Sequence, residues 1–99
     1  MEFRIAQSAL DDLKAIQAWY CSEGVPHIGE QRVNSILKQC ERLLLHPDSG
    51  RKVPEFDRTD IRELIHAPFR VVYFRQANQI TFIRVWRSER LLRLPDYPI

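Results

Sequence analysis

The chain has 99 residues, 44% of them hydrophobic, which suits one globular domain (residues 1–99) and excludes a disordered protein. Its formal net charge of +2 is unevenly placed. Residues 1–50 hold five Lys/Arg and seven Asp/Glu, a balance of −2, whereas residues 51–99 hold ten and six, a balance of +4. The C-terminal half is therefore the candidate surface for an anionic partner.

The cysteines and histidines are too scattered for a metal site or a disulfide framework. They are Cys21, Cys40, His27, His46 and His66. Cys40 falls on an apolar helical stripe, so we expect a buried thiol there. The sequence opens without a signal-peptide pattern and has no apolar run long enough for a membrane helix. We expect a cytoplasmic protein that uses no metal or other cofactor and does not associate with a membrane.

The N-terminal half predicts one strand followed by two helices. Phe3 to Ala6 form the strand, and Ser8 is the N-cap candidate of the first helix. Glu23-Gly24 ends that helix, and Pro26 starts the second. Because the link between the two helices is so short, they are expected to form an antiparallel hairpin. Apolar residues at helical spacing mark the inner face of each helix: Ala9, Leu13, Ile16 and Tyr20, then Gly29, Val33, Ile36, Cys40 and Leu43.

Residues 51–59 are polar and irregular, which predicts the most mobile loop of the chain. The segment carries three basic side chains, Arg51, Lys52 and Arg58. Two interpretations stay open at this point, a plain connector and a binding loop.

Three strands follow, within residues 61–65, 68–74 and 80–90. The links between them, Ala67-Pro68 and residues 77–79, are short and therefore predict antiparallel pairing. We expect the first strand to join this sheet at an edge or beside the last strand. Because side chains alternate along a strand, one face of the last strand holds Ile80, Phe82, Arg84 and Trp86, and the other holds Thr81, Ile83, Val85 and Arg87.

Both faces of that strand are partly apolar, and the helix hairpin can cover only one of them. The other face is expected to meet the C-terminal tail or another protein. The tail itself places Arg87, Arg90 and Arg93 three residues apart, roughly on one side if it is helical. Guanidinium groups are well suited to binding phosphate or carboxylate, so these arginines predict contact with a partner; a solvated tail is the alternative.

The order strand, helix, helix and three antiparallel strands, together with the phrases "IRELIHAPFRVVYF" and "ITFIRVWRSERLL", resembles the RelE/ParE superfamily of bacterial toxins. The resemblance covers nearly the whole chain. It implies an α+β fold in which an N-terminal strand and an α-helical hairpin pack on a small twisted antiparallel sheet. It also implies the toxin of a type II toxin–antitoxin pair, neutralised by a cognate antitoxin that usually supplies the DNA-binding part. No direct sequence-specific DNA binding by this chain is therefore expected.

One branch of the superfamily, the RelE-like branch, cleaves mRNA on the ribosome. The resemblance to it rests on Arg70, which would touch the scissile phosphate, with Arg87 or Arg90 as a second cation. Tyr97 is the nearby phenol that could act as acid or base, and Lys52 weakly matches the loop lysines of that branch. Under this interpretation the chain is an endoribonuclease. Arg70 has a structural alternative, a strand arginine that pairs with Glu63 across the sheet.

The other branch, the ParE-like branch, poisons DNA gyrase and performs no catalysis of its own. The phrases "RELIHAPFRVVYF" and "RVWRSER" are closer to this branch, which we favour. The residues expected to contact the target or a partner are Arg84, Trp86, Arg87, Arg90 and Arg93. For Trp86 core packing is the alternative. A third interpretation is a remnant of the fold that binds an antitoxin without being toxic.

Overall fold

The computed structural model describes residues 1–87, which form five strands and two helices. Their bounds are β1 (Glu2–Ile5), α1 (Gln7–Ser22), α2 (Pro26–Leu45), β2 (Arg51–Lys52), β3 (Ile61–His66), β4 (Phe69–Gln76) and β5 (Gln79–Arg87). The sheet has the order β1-β5-β4-β3-β2. The antiparallel pairing of β3, β4 and β5 confirms the expectation from the short links. β1 lies at one edge beside β5, also as expected, and pairs with it in parallel, which makes the sheet mixed.

The helix hairpin covers one face of the sheet and forms the larger core. Gly24, with φ at 78°, ends α1, and Pro26 begins α2, as the sequence predicted. Cys40 is 3% exposed within this core, which confirms the buried thiol, and burial raises its pKa to about 12. The buried members of this helix-side core are Ala9, Leu13, Ile36, Cys40, Leu43, Phe69, Val71, Tyr73, Ile80, Phe82 and Val85.

The predicted cap of the first helix is wrong. The N-cap of α1 is Ala6, and it makes no side-chain capping bond. Ser8 already lies inside the helix, and its hydroxyl donates to the carbonyl oxygen of Ile83 in β5, 2.5 Å away. The hydroxyl therefore ties the start of α1 to the sheet, a long-range contact that outweighs the local capping preference.

The strict alternation predicted for β5 is also wrong. Val72 and Tyr73 of β4 pair with Arg84 and Phe82, so Ile83 is an extra residue in a β-bulge. The bulge shifts the inward positions by one residue. Phe82 precedes it and Val85 follows it, and both belong to the helix-side core. Trp86 consequently packs against the opposite face of the sheet rather than sharing a face with Phe82.

That opposite face has a small core of its own. Its buried members are Val53, Ile61, Val72 and Ile83. Val53 and Phe56 belong to the segment predicted as a polar loop, and they cover this face from within the chain. Arg51 and Lys52 pair with β3 as the short strand β2. The prediction that residues 51–59 are polar and irregular is therefore wrong in part, because β2 is regular and two apolar residues anchor the segment. The two interpretations of its role, a plain connector and a binding loop, both stay predictions.

Candidate functional site

A groove of about 400 Å³ runs between α1 and the last residues of β5. It exists because β1 pairs with β5 only as far as Phe82, so the edge of β5 beyond that point faces α1 instead of another strand. The groove brings together three of the predicted contact residues, Arg84, Trp86 and Arg87. The other lining residues are Asp12, Ala15, Ile16, Trp19, Tyr20, Phe69 and Val85.

Asp12 of α1 binds the edge of β5 beyond the end of β1. Its carboxylate accepts hydrogen bonds from Arg84 Nε at 2.8 Å and Arg84 Nη2 at 2.9 Å. The same carboxylate accepts the backbone N–H of Val85 at 2.8 Å, which supplies a partner to a strand amide that β1 does not reach. Arg84 also lies over the ring of Trp86, with 4.2 Å between the guanidinium carbon and the ring centroid. Arg84 is thus held in a defined position at the groove floor.

Arg87 and Trp19 lie together at the mouth of the groove. The guanidinium carbon of Arg87 is 5.8 Å from the Trp19 ring centroid, and the Trp19 ring meets Tyr20 edge-on at 4.9 Å. Trp19 is 50% exposed, an unusual exposure for so large an aromatic side chain. An exposed aromatic ring beside a cation is typical of protein-recognition surfaces. The groove therefore offers both apolar area and positive charge to an incoming segment.

Arg70 lies in a buried ion cluster on the adjacent strand. Its Nε donates to Glu63 Oε1 at 2.7 Å, and its two terminal nitrogens donate to the two oxygens of Glu55 at 2.8 Å each. Arg51 donates to the other oxygen of Glu63 at 2.7 Å. The predicted pairing of Arg70 with Glu63 is confirmed, although β-sheet register makes it a diagonal contact rather than a direct one.

The cluster fixes the charge state and the position of Arg70. The side chain of Glu63 is fully buried and that of Arg70 is 8% exposed. The hydrogen bonds to Glu55, followed by those to Glu63, raise the pKa of Arg70 above its already high usual range. A guanidinium that is bound by carboxylates on both of its edges has to give up those bonds before it can contact a phosphate.

The remaining RelE-like candidates are distributed as follows. Lys52 lies on the outer strand β2, where its ammonium group donates to Asp57 at 2.6 Å and holds the pKa of that exposed carboxyl below its usual range. Tyr97, like the predicted contact residues Arg90 and Arg93, lies outside the described residues.

Within residues 1–87 no group of three or more His, Cys, Asp or Glu side chains is arranged to hold a metal ion. Neither α1 nor α2 is long and apolar enough to cross a membrane.

Sequence reasoning missed Asp12, Trp19 and Glu55 as parts of these sites. Asp12 lies in α1 but beyond its first turn, which holds no acidic residue, and nothing in the sequence indicates its reach to β5. Trp19 lies beside the apolar stripe of α1 rather than on it. A large aromatic residue outside the core-facing stripe is the one feature of the sequence that indicates a contact surface there. Glu55 gave no signal, because its partner Arg70 is fifteen residues away and reaches it only through the folded sheet.

Comparisons with known proteins agree with this architecture. Residues 3–92 match the family described as "ParE toxin of type II toxin-antitoxin system, parDE". A solved structure described as "Chromosomal ParDE TA system from P. aeruginosa" is similar in fold, with a TM-score of 0.75 and 24% sequence identity over 90% of this chain and 97% of that chain. A search of curated proteins found no match. Since the family match spans most of the sequence, the chain belongs to the ParE toxin family of type II toxin–antitoxin systems.

Proposed function

We propose that this protein is a toxin that acts on DNA gyrase in the cytoplasm and is neutralised by a cognate antitoxin. The family membership supports a toxin role. The observation that favours gyrase over the ribosome is the pairing of Arg70 with Glu55 and Glu63. Cleavage of mRNA needs a cation that is available to the scissile phosphate, and in this fold Arg70 is already held by two carboxylates.

The proposed mechanism is stabilisation of the gyrase–DNA cleavage complex by the basic end of the chain. Arg84, Trp86 and Arg87 form the part of that end which the structure describes, and Arg90 and Arg93 continue it in sequence. The protein then needs to bind its target rather than to transfer protons. Binding through arginine and aromatic side chains is consistent with the groove and requires no acid or base.

The antitoxin is proposed to occupy the same groove. An antitoxin segment with apolar and acidic side chains would complement Trp19 and Arg87 at its mouth. Binding of the antitoxin there would cover the arginines that the target needs. Neutralisation would then follow from competition for one surface, and no structural change of the toxin is required.

The proposal is tested with purified gyrase, ATP, supercoiled plasmid and the full-length protein. The expected result is loss of supercoiling together with accumulation of linear, cleaved plasmid. A variant that lacks residues 90–99 should lose this effect while the fold of residues 1–87 is retained, as judged by circular dichroism. Protein that is folded and toxic in cells but leaves gyrase unaffected at molar excess would refute the proposal and direct the search to the ribosome.

A further inference from the structure

A second surface that is suited to binding is the outer edge of β1, the edge that faces away from β5. The backbone amides of Glu2 and Ala6 donate toward the β5 side, each over 2.8 Å. Because N–H and C=O directions alternate along a strand, the polar groups of Phe3 and Ile5 between them point away from the sheet. β1 is the terminal strand of the sheet formed by residues 1–87, so these groups form an edge that another strand can extend.

The side chains of β1 alternate in a pattern that complements itself. Glu2 and Arg4 are exposed and share one face of the strand. Phe3 and Ile5 share the other face. The ring centroids of Phe3 and Phe82 are 5.1 Å apart there, and Ile5 packs against the helix-side core. When two such strands run antiparallel about a two-fold axis at Phe3, Glu2 of each copy lies opposite Arg4 of the other. Opposite charges at directly paired positions are stabilising.

The hydrogen-bonding geometry agrees with the same register. The outward N–H and C=O of Phe3 would exchange two hydrogen bonds with Phe3 of a second copy, which is the narrow pair of an antiparallel ladder. The pairing would also cover apolar side chains that are open to solvent, since Met1 is 52% and Phe3 is 38% exposed. A shift of the register by one residue would place Glu2 opposite Ile5 and Arg4 opposite Phe3, and both charge pairs would be lost.

We propose that β1 is a self-association edge, through which two copies of this chain pair antiparallel and form one continuous sheet with two-fold symmetry. The charges on this edge oppose pairing with most foreign strands and favour pairing with an identical one. The contact is short and smaller than the roughly 1,200 Å² typical of stable interfaces, so a dissociation constant on the order of 10–100 µM is expected. The proposal does not depend on the toxin's target.

The test is sedimentation equilibrium of the full-length protein, without an N-terminal tag, over a concentration series from micromolar to millimolar. Glu2→Arg places Arg opposite Arg4, and Arg4→Glu places Glu opposite Glu2, so each single variant should weaken the dimer at least about tenfold. An equimolar mixture of the two variants should recover association as a heterodimer, because every pair across the edge is then of opposite sign. The double variant Glu2→Arg/Arg4→Glu should recover a homodimer.

Lys14→Glu is the matched control, since Lys14 is exposed on α1 and its reversal changes the net charge as Arg4→Glu does. This control should dimerise like the wild type. A wild-type protein that stays monomeric at millimolar concentration would overturn the proposal and leave the edge to a strand from another protein. Dimers of unchanged affinity in both single variants, or no heterodimer from the mixture, would overturn the proposed register and edge.

Discussion

Glu55, from the segment between β2 and β3, binds both terminal nitrogens of Arg70 on β4, with both distances at 2.8 Å. This bidentate contact joins the loop that covers the second face of the sheet to a strand in the middle of that sheet. It also occupies the guanidinium edge that a phosphate would need. The same interaction therefore has a structural consequence and a functional one.

The structural consequence predicts a large loss of stability on removal of Arg70. Arg70→Ala leaves the fully buried Glu63 without its main counter-ion, so the free energy of unfolding should fall by about 3 kcal/mol or more. The double variant Glu63→Gln/Arg70→Met removes both buried charges and should be more stable than Arg70→Ala. Urea unfolding followed by circular dichroism measures both differences. Equal stability of wild type and Arg70→Ala would show that the cluster contributes nothing to the fold.

A second prediction concerns the contact between Gly50 and Tyr73. The Tyr73 hydroxyl accepts the Gly50 amide and donates to the Pro47 carbonyl oxygen, both at 3.0 Å. A Cβ at position 50 would lie 2.3 Å from that hydroxyl and 2.8 Å from a backbone oxygen of Glu63. Gly50→Ala should therefore destabilise the protein more than Tyr73→Phe, which removes two hydrogen bonds at a cost of about 1–3 kcal/mol. Thermal unfolding of the two variants compares them, and the reverse order would contradict the packing described.

The Asp12 carboxylate gives a third prediction. Asp12→Ala removes the ion pair with Arg84 and leaves the Val85 amide without its partner, so a loss of about 1–3 kcal/mol is expected. Asp12→Asn keeps an oxygen that can accept from Val85 and should lose less. Hydrogen exchange of the Val85 amide reports the contact directly. It should be faster in Asp12→Ala than in Asp12→Asn, and equal exchange rates would refute the role assigned to Asp12.

The two cysteines should differ in reactivity and in their effect on pH dependence. Burial raises the pKa of Cys40 from 9.0 to about 12, whereas Cys21 is exposed. The folded state therefore favours the protonated thiol, and this contribution to stability is complete below pH 9 and is lost as the pH rises toward 12. Cys40→Ala should show a smaller decrease in stability over that interval than the wild type.

Thiol labelling at pH 8 provides the companion measurement. One thiol per chain should react in the native protein and two in urea, and Cys21→Ser should abolish native labelling. Rapid labelling of Cys40 in the native Cys21→Ser variant would contradict its burial.

The sequence predicted the fold well because its signals are local. Helical spacing, Gly24 and Pro26 defined the hairpin, and the short links defined the antiparallel strands. The bulge at Ile83 escaped prediction because strand alternation carries no signal for one extra residue. Val53 and Phe56 escaped because two apolar residues in a polar segment show no period.

The candidate site was predictable in part for the same reason. Arg84, Trp86 and Arg87 lie within one strand, so their proximity follows from sequence alone. Asp12 and Trp19 join them only because β1 stops short of the end of β5 and α1 takes its place. The two partners of Arg70 differ in the same way. The contact with Glu63 can be predicted from the hairpin of β3 and β4, whereas the contact with Glu55 depends on how the preceding loop folds back.

The most direct test of the account is the gyrase cleavage assay with the full-length Glu63→Gln/Arg70→Met variant beside the wild type. Both proteins should first be shown to be folded at the assay temperature. If Arg70 serves the fold and gyrase is the target, the two should accumulate the same amount of cleaved plasmid at equal concentration. Wild-type protein that produces no cleaved plasmid, or a folded variant that has lost all activity, would contradict the account.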